Sequence, residues 1–406
     1  MDAKKQAADR YGSVWEVAIT ALRLGLTSFG GPVAHLGYFY EEYVKRKKWI
    51  DEKTYADLVA LCQFLPGPAS SQVGIGIGFM RAGVWGALAA WLGFTLPSAV
   101  ALSLVAVWLQ HHSWGDAGWM HGLLLVAVAV VAQAVWEMAR KFASSRLEAT
   151  VAIIAAAAVL LAPGAWSQVA VIAAAGGIGA VGLRKNVAPS SSAAGIPPFI
   201  RRSTGVTLLL LFAVLLVALP LIRTWIHSPL LALFDSFYRA GALVFGGGHV
   251  VLPLLEAEVV PQGWVTADQF LAGYSASQAV PGPLFTFAAY IGMAAFGWKG
   301  TLVATAAIFL PSFLLVLGAF PFWHWLRRQP RFQAALAGMN AAVVGILLAA
   351  LYDPIWTKAV NELADFAFVL VAFLLLAVWK WPAWAVVLVS FVGGVASRIV
   401  RLMFDA

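Results

Sequence analysis

Charge is scarce in this sequence. Of 406 residues only 11% are Asp, Glu, Lys or Arg, against 61% hydrophobic. Soluble domains carry about 25% charged residues, so an ordinary water-soluble fold is excluded. Cysteine is scarcer still. Cys62 stands alone, which excludes an internal disulfide framework and a thiolate metal cluster. Acidic residues number 19 against 27 basic ones, for a net charge of +8. No phosphate-cradling nucleotide motif, metal-ligand spacing or Ser-His-Asp arrangement occurs. A membrane-embedded enzyme and direct use of ATP therefore lack support, and no catalytic residue, cofactor or metal is expected. The polar stretch 1–13 and the absence of a small-residue cleavage site after the first apolar run argue against a removable signal peptide.

What is abundant is long apolar sequence. Such runs cover 83–109, 122–136, 151–161, 206–222, 304–320 and 366–379. A helix needs about 20 mostly apolar residues to cross a hydrocarbon core of about 30 Å. Only helices and closed barrels satisfy their backbone in lipid, and barrel strands would read as short alternating segments. The expected fold is all-α and polytopic, with about 10 to 13 hydrophobic segments. Tryptophans, 18 in all, concentrate near segment ends, as an interfacial belt does. The basic residues sit in short loops, which topology explains better than nucleic-acid binding.

The sequence repeats itself. Arg23 to Pro32 matches Arg239 to Gly248 at an offset of 216, with Phe29-Gly30-Gly31-Pro32 against Phe245-Gly246-Gly247-Gly248. Glu42 matches Glu258 at the same offset. Gln63-Phe-Leu-Pro66-Gly67-Pro68 meets Gln278-Ala-Val-Pro281-Gly282-Pro283 at 215, and Leu96-Pro97-Ser98 meets Leu310-Pro311-Ser312 at 214. The chain divides into a repeat over 1–183, a polar linker loop over 184–203, a connecting transmembrane segment over 204–229 and a second repeat over 230–406.

Loop charge orients the halves. The loop after the first Phe-Gly-Gly holds Lys45, Arg46, Lys47, Lys48 and Lys53, while its counterpart, 256–268, holds no Lys or Arg. After Leu-Pro-Ser the bias reverses: 110–118 has none and the second half has Arg327, Arg328 and Arg331. Since Lys and Arg mark the cytoplasmic side, the repeats read as inverted. The unpaired run 206–222 supplies the odd crossing. If the motif segments dip in and return, Lys4, Lys5, Arg10, the Lys45 cluster and Arg81 all fall on one side, which favours re-entrant hairpins.

The motifs place helix breakers at membrane depth. Proline removes an amide and clashes with the preceding turn, while glycine permits positive φ. Lipid does not tolerate the break unless protein or a wet cavity covers it. Where the helix resumes, its first amides and its dipole favour an anion. Discontinuous helices in matching places of two repeats point to a transporter's binding site, whereas a lone break is a kink. Leu-Pro-Ser fits a kink in both halves.

The candidate oxyanion ligands are therefore both sets of breaks, with Arg23 and Arg239, Gln63 and Gln278, Ser70, Ser71, Thr286 and His249. Each has a plainer reading beside it. The arginines could snorkel or pair with Glu16 or Asp235. The glutamines could tie helices together, the hydroxyls could cap restarting helices, and His249 could be a packing residue. Glu42, Glu258 and His35 are candidates for a proton or charge relay, or are simply solvated or hydrogen-bonded.

These residues resemble the chromate ion transporter family, in its long-chain, two-domain form. The resemblance rests on Phe-Gly-Gly-Pro, an acidic-basic loop ending in Trp, and Gln-x-x-Pro-Gly-Pro, all repeated in the second half. It is clearest over about 14–110 and 230–325. It implies two homologous domains of opposite topology and export of chromate across the bacterial inner membrane, conferring chromate resistance. The implied partners are an inorganic oxyanion (chromate or sulfate) and the lipid bilayer; a homodimer is compatible with the sequence. The half-sites differ: Gly248-His249 stands against Pro32-Val33, and after Pro-Gly-Pro one half has Ser70-Ser71-Gln72 where the other has Leu284-Phe285-Thr286. An oxyanion channel, a sulfate importer and a scaffold subunit remain alternatives.

Overall fold

The structure is a computed structural model of the chain and describes residues 13–111, 118–183, 200–245, 247–326 and 328–404. Among these residues every regular element is helical. The first half contains α1 (Val14–Thr27), α2 (Gly31–Phe39, continued by Tyr40–Arg46), α3 (Glu52–Phe64), α4 (Ala69–His111), α5 (Gly118–Phe142), α6 (Arg146–Leu161) and α7 (Ala165–Gly182). A lone helix α8 (Arg202–Trp225) follows. The second half repeats the order: α9 (Pro229–Leu243), α10 (Val251–Val259), α11 (Ala267–Ala279), α12 (Phe287–Ala319), α13 (Pro330–Ala350), α14 (Leu363–Phe373) and α15 (Ala383–Phe404). Of the predicted linker 184–203 only the last four residues are described, and α8 already begins within them. Six of the described helices are long and apolar enough to cross a membrane. The protein is a multi-pass, two-repeat membrane protein.

The four motif breaks are real interruptions. Helix ends at Thr27 and resumes at Gly31; it ends at Phe64 and resumes at Ala69. In the second half it ends at Leu243 before a short turn at Gly248–Val250, and ends at Ala279 before another at Leu284–Thr286. By contrast, helix runs unbroken through Pro97 and Pro311. The sharp turn in α4 and α12 lies elsewhere, at Ala82–Gly83 and Phe296–Gly297, where the glycines take φ 63° and 62°. At 13 residues, α3 and α11 are about 20 Å long at roughly 1.5 Å per residue, too short to cross.

Each break is instead the tip of a helical hairpin. Leu58 of α3 packs against Gly76 of α4, so the chain turns back on itself around Pro66-Gly67-Pro68. The Tyr290 hydroxyl donates to the Gln269 carbonyl at 2.8 Å and Phe270 meets Phe287 at 5.0 Å, folding the second half around Pro281-Gly282-Pro283 in the same way. Around Phe29-Gly30-Gly31, α1 and α2 are tied by Arg23–Glu42 at 3.7 Å and Glu16–Lys47 at 3.1 Å. Around Phe245, Arg239 and Ser236 of α9 both bind Glu258 of α10. The re-entrant hairpins expected from sequence are thus present in both repeats.

The homologous helices α4 and α12 pack against each other in opposite directions. Trp91 meets Phe309 and Phe313, the Ser103 and Thr301 hydroxyls lie 3.3 Å apart, and Gln110 donates to the Ala294 carbonyl at 2.8 Å. As one chain descends the other ascends. Repeats related by an axis along the membrane normal would place these helices parallel, so antiparallel packing means inverted repeats. The repeats also interlock, since α5 packs on α15 and α13 packs on α7. Small residues allow the closest approaches. A Cβ on Gly86 would fall on the Gly78 carbonyl, where the two arms beside Gly83 meet.

Two outcomes follow from this architecture. Gly86→Ala should lower the melting temperature of the detergent-solubilised protein through that backbone clash, whereas Gly37→Ala, with open space at the Cβ position, should leave it unchanged. Cysteines placed at the matched exposed positions Lys53 and Asp268 should react with an impermeant maleimide from opposite sides of the membrane. Labelling of both from one side would contradict the inversion.

Candidate functional site

The hairpin tips of the two repeats meet each other in the interior. The Gly67 amide donates to the Val244 carbonyl at 2.7 Å, and the Gly282 amide donates to the Ser28 carbonyl at 2.9 Å. These are the same bond made twice, since Gly67 matches Gly282 and Ser28 matches Val244. Each Pro-Gly-Pro tip therefore docks on the Phe-Gly-Gly tip of the other repeat. Only glycine suits the position. Gly67 and Gly282 have φ 115° and 103°, and a Cβ would come within 2.9 Å of the Ser312 Oγ and 2.8 Å of the Ser98 Oγ respectively. The two Leu-Pro-Ser motifs are thus more than kinks, because their serines back the opposing tips.

A two-lobed cavity runs beside the joined tips. One lobe, of about 570 Å³, is lined by Gly30, Gly31 and Pro32 together with Gln278, Gly282 and Leu284. The other, of about 230 Å³, is lined by Gly247, Gly248 and His249 together with Gln63, Gly67 and Ala69. Each lobe pairs a Phe-Gly-Gly tip with a Pro-Gly-Pro tip in trans, as the internal symmetry requires. Gly30 to Val33, His249, Ala134 and Glu137 border both lobes.

The helical segments that begin at Gly31, Gly248 and Leu284 have no side-chain cap, so their first amides remain available. The first residues of these segments, Gly31, Gly248 and Leu284, line the cavity, and free amides at the start of a helix favour an anion. The Gln278 amide nitrogen is buried and bonded to nothing among the described residues. Gln63 is exposed to the smaller lobe. The His249 Nδ1 lies 2.7 Å from the Tyr274 hydroxyl.

Other predicted residues lie apart from the cavity lining. Arg239 is buried and chelated by Asp235 at 3.1 Å and Glu258 at 2.8 Å, with its guanidinium over the Trp166 ring. Arg23 is mostly exposed and reaches Glu42, which also accepts from Arg46 at 3.3 Å. The repeat-matched Arg and Glu residues are therefore engaged with each other, in both halves, away from both lobes. Of the two carboxylates named as alternative partners, Asp235 does hold Arg239, whereas Glu16 binds Lys47 and Arg81 instead.

His35 is buried, with Nδ1 at 3.3 Å from the Ser70 hydroxyl and its ring edge-on to Phe94. Ser71 is buried, its hydroxyl bonded to nothing among the described residues. Thr286 donates back to the Pro283 carbonyl at 2.7 Å, so its hydroxyl caps its own turn. The Pro66 carbonyl accepts from the Gln72 amide at 2.7 Å. Pro68 and Pro283 are buried in the tips and Pro281 is half-buried. Phe29 packs near Trp384 at 6.2 Å, and Phe245 packs on the main core. Gly246 lies outside the described residues.

Sequence reasoning missed one wall of the cavity. Gln133, Glu137 and Lys141 of α5 line it, and Lys380 and Trp384 border the larger lobe. The available signal was polar residues at i, i+4 and i+8 in an otherwise apolar helix, a spacing that stacks them on one face.

The ion pairs carry a stability prediction. Removing one partner of a buried pair leaves an uncompensated charge, at about 3–5 kcal/mol. Arg239→Ala strips buried Glu258 of its cation and leaves Asp235 only Arg223, at 3.5 Å, and should prevent recovery of folded protein. Arg23→Ala removes an exposed partner worth about 0–1 kcal/mol and should shift the melting temperature little. Size-exclusion profiles and thermal melts of the two variants check the contrast.

The chromate transporter family model matches residues 15–180 and 231–395, one match per structural repeat. A probable chromate transport protein of Synechococcus elongatus is 28% identical over 384 residues, covering 92% of this chain and 93% of that protein. A chromate transport protein of Pseudomonas aeruginosa is 28% identical over 360 residues, covering 87% and 83%. An uncharacterized transporter of Bacillus subtilis is 29% identical over 171 residues, which is 94% of its length but 40% of this chain, a relative about the size of a single repeat. No solved structure matches. With both inverted repeats matched, the chain belongs to the chromate transporter family.

Proposed function

We propose that this protein is a secondary transporter that exports chromate, a sulfate-like dianion, from the cytoplasm across the bacterial inner membrane and so confers chromate resistance. One observation carries the reading: hairpin tips from two inverted repeats converge on a single cavity with uncapped helix N-termini. Free backbone amides bind a tetrahedral oxyanion without a fixed countercharge, which suits a site that must also release its cargo. The Gln63 and Gln278 amides add neutral donors, one in each lobe. The names of the relatives supply chromate as the cargo.

The orientation in the membrane rests on charge. The open ends of the first repeat's hairpins carry the Lys45 to Lys48 cluster and Arg81, which supports a cytoplasmic side for them. The smaller lobe, with Gln63, Lys141 and Phe142, adjoins a further cavity lined by Asp57, Glu148 and Asn340. That vestibule is the cytoplasmic entrance on this reading. The reciprocal Gly67–Val244 and Gly282–Ser28 bonds join the repeats at their tips, and rocking of one repeat against the other there would alternate access. Sulfate shares the shape and charge of chromate and is the alternative cargo.

Purified protein in proteoliposomes should accumulate labelled chromate when the cytoplasmic face is outward, with sulfate competing. Gln63→Ala and Gln278→Ala should each weaken the apparent affinity about ten- to a hundredfold, the loss of one hydrogen bond to a charged group worth about 1.5–3 kcal/mol. Absence of chromate and sulfate flux in the wild type would overturn the assignment.

A further inference from the structure

Glu137 is an anomaly in a cavity read as an anion site. It borders both lobes, midway along the polar stripe that α5 lays on the wall. Its carboxylate accepts from the Gln133 amide at 2.9 Å. Among the described residues it makes no ion pair, unlike Glu42, Glu258 and Asp235, which arginines hold. The stripe also breaks the internal symmetry. Aligning Ala129-Val130-Val131 with Ala342-Val343-Val344 sets Gln133, Glu137 and Lys141 against Ile346, Ala350 and Pro354. Ile346 and Ala350 are buried and apolar, so the second repeat has no such group.

We propose that Glu137 couples oxyanion binding to a proton. The inference rests on the oxyanion reading of this cavity. A dianion in either lobe faces the Glu137 carboxylate, and a like charge nearby disfavours the ionised form. The carboxylate therefore takes up a proton from water as the dianion enters and returns it when the dianion leaves. No other bond is made or broken. The occupied cavity then holds about one proton more than the empty one, and the net negative charge gained on binding falls by one.

The other charged or titratable groups bordering the lobes do not replace this role. Lys141 stands one turn along the same helix, and Lys380 comes from the segment between α14 and α15. Both cations favour the anion and the ionised carboxyl alike, so they set the midpoint of the exchange rather than its sign. His249 of the second repeat's tip is bonded to Tyr274. Cys62 of α3 is buried. The tips at Gly30–Ala34 and Gly282–Leu284 contribute no titratable lining residue.

The test uses the full chain in lipid nanodiscs, titrated with sulfate, which stays a dianion near neutral pH, and in parallel with chromate. Wild type should take up about one proton per oxyanion bound, read with a pH indicator in weak buffer. Its affinity should be greatest at low pH and fall as pH rises, because binding takes up a proton. Glu137→Gln, neutral at all pH, should bind without proton uptake and without that slope. Glu137→Asp should restore both, with a shifted midpoint.

Oxyanion binding by wild type without proton uptake, or with proton release, would overturn the inference, whatever the variants do. So would uptake that survives in Glu137→Gln. If wild type binds neither oxyanion, the functional reading itself fails, and this inference falls with it; binding without protons would leave that reading standing.

Discussion

A peptide group that leaves the helix inside a bilayer must find its hydrogen bond within the protein, because the hydrocarbon offers none. At four motif breaks among the described residues the chain leaves the helix, and the four broken tips solve the problem for each other in two pairs. Gly67 donates to Val244, and Gly282 donates to Ser28. The rest of the structure depends on that exchange. It requires repeats that enter from opposite sides, since only then do the tips face one another. It requires glycine at the docking points and serines at Ser98 and Ser312 behind them. It also leaves the first amides of the resuming helices unspent, and these give the cavity its positive polarisation.

The division of labour between charged and uncharged groups follows from the same constraint. The Arg–Glu pairs, matched across the repeats, tie the two arms of each Phe-Gly-Gly hairpin together well back from its tip. A guanidinium in this position is satisfied by carboxylates, and in the second repeat it is almost wholly enclosed by them. The tips themselves carry no formal charge. Backbone dipoles and glutamine amides can hold an anion and still let it go, whereas a desolvated arginine would grip it. The formal charges that do border the cavity, Glu137, Lys141 and Lys380, all lie outside the tips and break the twofold symmetry. The scaffold is symmetric; the chemistry around it is not.

Much of this was legible in the amino-acid order. Hydrophobic run length dictated helices in a membrane, because lipid admits little else. The repeated Phe-Gly-Gly and Gln-x-x-Pro-Gly-Pro marked the breaks, because proline and glycine act locally on their own backbone. The reversal of loop charge indicated inversion, and the antiparallel packing of α4 on α12 agrees with it. Less local features were harder to read. Leu-Pro-Ser looked like a plain kink, while the chain actually turns at Gly83 and Gly297. A proline in a long apolar helix can be absorbed by its neighbours, and a glycine turns the chain only where the two arms can pack.

By itself, then, the sequence determined the class of fold, the duplication, the places where helix stops and the family. These depend on composition and on residues acting within a few positions of themselves. Which side chains share a cavity was settled only in three dimensions. Arg23 and Arg239 read equally as anion ligands or as partners of carboxylates, and in the fold Glu42 and Glu258 lie against them, 19 residues further along the chain. Glu137 stands in a mostly apolar stretch of the linear order, and only the fold sets the tips of both repeats beside it. A charge has no fixed role in the linear order, because its energy is set by whichever groups the folded chain brings within a few ångströms of it.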